Sequence, residues 1–346
     1  MSSKSLITQV FAGEKIERVP CWFMRQAGRY LPEYRELRAR HRMLDLIRTP
    51  ELAFEVTMQP LRRFELDAAI IFADILNPLM SLGIELDFIE GEGPKIFNPI
   101  ACESDIKALK RPQVEDDLSY TFDAIKLCVS ELQGKNVPLL GFSGAPFTLS
   151  AYMIEGGKLG DLLKTKLFMF SQESAWHLLQ ERLIELIVPY TLEQLNSGAA
   201  VIQIFDSWAG FLAAAEYEKF VLPHLKNLIG QFKRATSSPL VYFSTGTAGM
   251  LDLIKQLPVD GFSIDWRTSI SEARRILGPE KIIQGNLDPL ILAGPESYLP
   301  AQVERIVMEG KKAGKFIFNL GHGIIPSTPP QNVAIALDTA HKHGRY

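Results

Sequence analysis

Eight short apolar runs, spread along the whole chain and each closed by Gly, Pro or a polar residue, limit what this sequence can fold into. They are VPCWFM (Val19–Met24), DAAIIFA (Asp67–Ala73), VPLLGF (Val137–Phe142), AAVIQIF (Ala199–Phe205), PLVYFS (Pro239–Ser244), DGFSID (Asp260–Asp265), KIIQGN (Lys281–Asn286) and KFIFNL (Lys315–Leu320). Several are apolar at nearly every position. A strand with one face in water alternates in polarity; a strand covered on both faces does not, and such strands belong to parallel sheets. Between the runs lie stretches with helical spacing. Residues 171–195 are the clearest, with Pro189 as a candidate kink, and 217–235 and 271–277 read the same way. Eight strands alternating with helices predict an α/β protein, a single (β/α)8 TIM barrel over residues 1–346, rather than an open doubly wound sheet. The open sheet's marker, GxGxxG after the first strand, is missing. The cluster Gly156-Gly157-Lys158-Leu159-Gly160 reads as a turn.

Charge and cysteine usage exclude several classes. The net charge is −3, so no global basic field invites nucleic acid or acidic lipid, and an anionic ligand must be met by local Arg or Lys. Cys21, Cys102 and Cys128 fit neither a metal knuckle nor a CxxC pair, which suits a reducing cytoplasm. The first twenty residues are too polar for a secretory signal. The longest apolar stretch, 68–84, contains Asp74, Asn77 and Pro78 and is not expected to span a bilayer. Walker, HExxH, GxSxG and kinase motifs are absent, and the six histidines are scattered. No cofactor apparatus is visible. The tail HKHGRY reads as a solvated end.

In a barrel of this kind the functional site lies at the C-terminal ends of the strands. The residues following the runs are therefore the candidates: Arg25-Gln26-Ala27-Gly28-Arg29, Asp74, Tyr152, Ser207 and His322. Each admits a plain reading. Arg25 and Arg29 either pair with surface carboxylates or form a flexible cationic loop whose guanidinium forks suit carboxylate or phosphate. Asp74 is a helix cap or a buried functional acid. Tyr152 defaults to half-buried core and Ser207 to a cap or turn. His322, between two glycines, either approaches a ligand closely or serves as a structural hydrogen-bonder. Asp265 and Asp288 read as structural. Together these predict an arginine-rich mouth with one strand-end aspartate, suited to a polycarboxylate or a phosphate.

Six blocks in order carry a resemblance: PCWFMRQAGRYLPEYRE (Pro20–Glu36), QPLRRFELDAAIIFADIL (Gln59–Leu76), GFSGAPFTLSAYMIEG (Gly141–Gly156), IQIFDSWAG (Ile202–Gly210), QGNLDP (Gln284–Pro289) and NLGHGIIPSTPP (Asn319–Pro330). In these the chain resembles the uroporphyrinogen decarboxylase family. The resemblance implies substrate-binding arginines at Arg25 and Arg29, an essential aspartate at Asp74, and site residues at Tyr152, Ser207 and His322. Trp208 stands where some members carry His. It further implies a homodimer that decarboxylates the four acetates of uroporphyrinogen, giving coproporphyrinogen, without metal or cofactor. The substrate's eight carboxylates would account for the cationic loop, and its protonated pyrrole ring would supply the electron sink. Two alternatives remain: a zinc- or corrinoid-linked methyltransferase of the same superfamily, which would need His and Cys at strand ends, and a non-catalytic tetrapyrrole carrier, which would need the arginines but not Asp74.

Overall fold

In a computed structural model that describes residues 5–346, the apolar runs become staves of one barrel. The strands are β1 (Ala69–Ile70), β2 (Leu86–Ile89), β3 (Gly93–Ile96), β4 (Leu139–Gly144), β5 (Val201–Asp206), β6 (Leu240–Ser244), β7 (Gly261–Ser263), β8 (Ile282–Leu287) and β9 (Phe316–Leu320). Seven of them form a parallel sheet in the order β1-β4-β5-β6-β7-β8-β9. Every residue of β4, β6, β8 and β9 is buried, which is why these runs show no alternation.

The first run, 19–24, is not a regular strand. Pro20 has no N–H to give a ladder, and the pairing reduces to a bridge between Cys21 and Phe318. It nonetheless closes the ring. Phe318 N–H donates to Pro20 O and Trp22 N–H to Phe318 O, at 2.9 and 3.3 Å, joining the run to β9. On its other side Asp67 N–H donates to Cys21 O at 2.8 Å, and the Asp67 carboxylate accepts from Cys21 N–H at 2.7 Å. Arg18 forks the same carboxylate at 2.6 and 2.8 Å. A side chain thus stands in for part of the ladder between the first run and β1.

The barrel interior is a polar layer rather than plain hydrocarbon. Trp22 Nε1–H donates to Gln284 Oε1 at 3.0 Å, and Gln284 Nε2 donates to Gln203 and Ser263 at 2.9 and 3.0 Å. Buried amides are tolerated because they satisfy one another.

Other expectations need correction. Residues 217–235 are two helices, Ala214–Phe220 and Leu222–Ala235. Pro223 sits in the second helix's first turn, where its missing N–H costs nothing; inside a continuous helix it would break a bond. Pro189, by contrast, lies within one unbroken helix, Glu173–Asn196. The antiparallel hairpin of β2 and β3 between the second and third staves was not expected. Nor is the tail a solvated end. The helix Pro330–Gly344 docks on the barrel's N-terminal end, where Gly344 O accepts from Val19 N–H at 3.0 Å and His341 lies near Asp67. No helix among the described residues is long and apolar enough to cross a membrane.

Candidate active site

The loop after the first run carries the two arginines, and it is pinned rather than flexible. Met24 N–H donates to Asn319 Oδ1, and Ile324 N–H to Met24 O, at 3.0 and 2.9 Å. Gln26 is buried; its amide accepts from Phe23 N–H at 3.0 Å and donates to Ala68 O at 2.9 Å. Its side chain is committed to shaping the loop, which leaves any contact of Gln26 with a ligand to its backbone. Ala27 and Gly28 are half-buried, and Gly28 O accepts from Leu31 N–H at 3.0 Å. Arg25 itself is left-handed, φ 61°, a conformation a non-glycine residue holds only when its surroundings impose it. Its guanidinium stands open in the mouth yet ringed by protein, and this lowers its pKa. Arg29 is exposed beside it, and the two repel. Among the described residues neither arginine makes an ion pair, so the surface-pairing reading fails.

Asp74 follows β1. Its Oδ1 accepts from Leu76 N–H at 2.9 Å, the local turn that a capping reading anticipates, just ahead of the short helix Asn77–Leu82. Among the described residues Oδ2 accepts nothing. Burial raises the carboxyl's pKa above the usual Asp range, opposed by the Leu76 N–H and then by the charge of Arg25. Cap and functional acid are therefore compatible: one oxygen holds the turn and the other is open.

Tyr152 lies on the helix Pro146–Glu155 after β4. Its phenol pKa is raised, mainly by burial, and it feels both Asp74 and Arg25. The Trp208 ring meets it edge-on, centroids 6.5 Å apart. Trp208 thus walls the tyrosine, which gives that variable position a packing role. Ser207, just after β5, is half-buried; its carbonyl accepts from Thr245 Oγ1 at 2.8 Å, fixing the loop.

His322 follows β9. Gly323 N–H donates to its Nδ1 at 2.7 Å, so the neutral ring carries its proton on Nε2. Burial first, and then the charge of Arg25, pushes its pKa down to about 4, leaving a neutral donor at pH 7. The two flanking glycines have no left-handed backbone to excuse them; space explains them. A Cβ on Gly321 would lie 2.7 Å from Trp266 N, and one on Gly323 would lie 2.3 Å from Arg25 Cδ. Asp265, read as structural, organises this wall by accepting from Gly246 N–H and Arg267, and Asp288 caps the helix Pro289–Leu292.

A second strand-end acid, given no role in the sequence, is buried here. Asp206 ends β5, fully buried, with Thr148 Oγ1 donating to Oδ1 at 2.7 Å and Tyr242 OH to Oδ2 at 2.8 Å. Tyr217 OH lies 3.2 Å from Tyr242 OH. Burial pushes the Asp206 pKa up to about 6. Thr148 also accepts from Trp208 N–H, at 3.4 Å, so the acid ties β5 to the Tyr152 helix.

Among the described residues no thiol lies beside His322, as zinc-linked methyl transfer would require. Cys21 is instead at the opposite end of the barrel, where its Sγ, Asp67 and His341 lie within 4.8 Å of one another. Arg18 already occupies both Asp67 oxygens there, and a second cation would face its charge.

The sequence profile of the family "Uroporphyrinogen decarboxylase (URO-D)" matches residues 2–343. A uroporphyrinogen decarboxylase of Chloroflexus aggregans is 45% identical over 323 residues, covering 92% of this chain and 90% of that protein. One of Roseiflexus sp. strain RS-1 is 43% identical over 334 residues, covering 95% and 96%. Among solved structures, a methyltransferase from Methanosarcina mazei superposes with a TM-score of 0.79 at 20% identity, covering 98% of this chain and 99% of that one. A B12-independent methionine synthase from Shewanella sp. W3-18-1 gives 0.58 at 10%, covering 94% of each. At such identities the likeness to these structures shows the barrel alone. With its profile matched almost end to end and relatives above 40% identity over nine-tenths of their length, the chain belongs to the uroporphyrinogen decarboxylase family.

Proposed function

We propose that this chain decarboxylates uroporphyrinogen III, turning its four acetate side chains into methyls and releasing four CO2 to give coproporphyrinogen III, with Asp74 at the centre of the chemistry. The working unit in this reading is a homodimer, as the family resemblance implies, in the cytoplasm that the cysteine usage suits. The observation that carries the role of Asp74 is its open oxygen: a half-buried carboxylate at a strand end, facing Arg25 without an ion pair, with Oδ2 accepting nothing among the described residues.

A porphyrinogen is not flat, and its four pyrrole N–H groups can turn toward one acceptor. An ionised carboxylate accepts several hydrogen bonds and donates none. Arg25 and Arg29 would take side-chain carboxylates, and the neutral His322 Nε2–H would give one more donor. In each round a ring carbon takes a proton and the pyrrole becomes cationic. The bond between the acetate methylene and its carboxylate breaks, CO2 leaves, and the electron pair passes into the ring. The methylene then takes a proton to become methyl, and the ring carbon gives its proton up. One proton is consumed per CO2, and the macrocycle is its own electron sink. Asp74 stabilises the ring cation, a contact stronger in the transition state than in the ground state, so it raises turnover.

Asp74→Asn keeps the shape, loses the charge and turns an N–H donor toward N–H donors. The expected loss is roughly two to three orders of magnitude in kcat, the scale of one preorganised electrostatic contact. Steady-state CO2 release, with folding checked by thermal melting, tests it. A folded Asn variant with near-normal turnover would leave Asp74 as a cap and nothing more.

A further inference from the structure

The substrate just proposed carries eight carboxylates, and two arginines answer few of them. The mouth holds another cation that the sequence motifs do not mark. Arg267 lies beyond the end of β7, on the same face as His322. Its guanidinium is fixed twice: NH1 pairs with the buried Asp265 at 2.6 Å, and the group stacks 4.4 Å above the Trp266 ring. Asp265 in turn is held by the backbone N–H groups of Gly246 and Arg267, at 2.6 and 3.0 Å. This segment packs directly on the histidine turn, because the missing Cβ of Gly321 leaves 2.7 and 2.9 Å to Trp266 N and Asp265 Cα. The charge of Arg267 reaches His322, as that of Arg25 does. Yet 52% of the Arg267 side chain remains exposed, so only part of its fork is used.

We infer that Arg267 is a further substrate-binding residue, taking one peripheral carboxylate of the macrocycle beside His322. Arg267 is preorganised by a carboxylate and an aromatic face, and part of its fork is left exposed. The inference rests on the proposed function for the chemical class of the ligand.

The test is binding of uroporphyrin, the oxidised octacarboxylate that does not react, to the full chain by fluorescence titration, alongside kinetics with the porphyrinogen. Because the pair is half exposed, Arg267→Gln is expected to weaken uroporphyrin binding about three- to tenfold and to raise KM by a similar factor. Turnover should stay within about twofold. The difference should fade at about 1 M KCl, where the Debye length is about 3 Å. Arg267→Lys, which keeps the charge but not the fork, should fall between. Unchanged binding and KM in a folded Arg267→Gln variant would overturn the inference, as would a loss confined to kcat or one that persists at high salt. If wild-type protein bound uroporphyrin but released no CO2, the proposed function would fail instead, while the binding comparison could still be read.

Discussion

Gly323→Ala is a change of one methyl group whose consequence can be worked out from the structure. Gly323 does not have a left-handed backbone, so alanine fits its conformation without strain. The new Cβ would meet Arg25 Cδ at 2.3 Å, Cγ at 2.6 Å and Nε at 2.9 Å. Carbon atoms in contact sit about 3.5–4.0 Å apart, so something must retreat by more than about 1 Å. The turn is held by Gly321 N–H on Leu287 O at 2.8 Å and Ile324 N–H on Met24 O at 2.9 Å. Among the described residues the side chain of Arg25 is tethered by no ion pair, so it is the part that swings. Losing one charge-assisted hydrogen bond costs about 1.5–3 kcal/mol, roughly ten- to 150-fold in kcat/KM. The assay is a double-mutant cycle on kcat/KM with Arg25→Ala. If Gly323 acts through Arg25, its penalty nearly vanishes once Arg25 is already gone. Wild-type kinetics in folded Gly323→Ala, or a penalty undiminished in the Arg25→Ala background, would refute the reasoning.

Three further outcomes follow from the same geometry. Activity should be lost as pH falls through the raised pKa of Asp74; Arg25→Ala removes a charge that favours the carboxylate, so the acid limb of kcat/KM should move to higher pH, and an unmoved or lowered limb would count against an ionised Asp74. Tyr242→Phe leaves Asp206 Oδ2 buried without its donor and should destabilise the fold by about 1–3 kcal/mol in denaturant unfolding. Because the folded pKa of Asp206 is raised to about 6, the neutral form dominates below it; the loss should therefore be larger at pH 8 than at pH 5, and the reverse order would contradict the assignment. Exhaustive chelation should leave the rate unchanged, since the macrocycle accepts the electrons itself; a loss restored by zinc would redirect attention to methyl transfer.

The barrel was legible because parallel strands covered on both faces write their burial directly into the sequence, as LLGFSG and FIFNL do. What stayed hidden was whatever depends on two distant residues meeting. The apolar run at 19–24 reads as a strand, but its closure relies on Asp67, joined to it by Arg18 across 49 positions. The candidate residues were found from their positions after strands and from the resemblance, yet neither source distinguishes a ligand-facing amide from Gln26, which is bound to Ala68 O. Asp206 was visible as a strand-end acid. Its meaning comes from Thr148 and Tyr242, 58 and 36 residues away, and no local pattern announces them. The tail misled because a short polar, histidine-containing sequence looks solvated unless the groove that receives it is known.

The electrostatics of the mouth bear on the difference between a structural ion pair and a site awaiting a ligand. An aspartate and an arginine surrounded by protein lower their energy by closing into contact, since desolvated charges attract strongly and each is costly alone. Arg18 and Asp67 do so at the other end of the barrel, at 2.6 Å. Arg25 and Asp74 do not, although each feels the other's charge. Arg25 is left-handed within a pinned loop, and Asp74 gives its Oδ1 to its own turn while Oδ2 stays open. Desolvation therefore leaves both strained in the same sense, with the carboxyl's pKa raised and the guanidinium's lowered. A molecule that offers carboxylates to one and N–H donors to the other relieves both at once. A polycarboxylate without central donors would satisfy Arg25 and add negative charge beside Asp74, and a simple cation would do the opposite. On the proposed function, the pairing of the two unmet demands, more than either residue alone, would fit this mouth to a ring of pyrroles fringed with carboxylates.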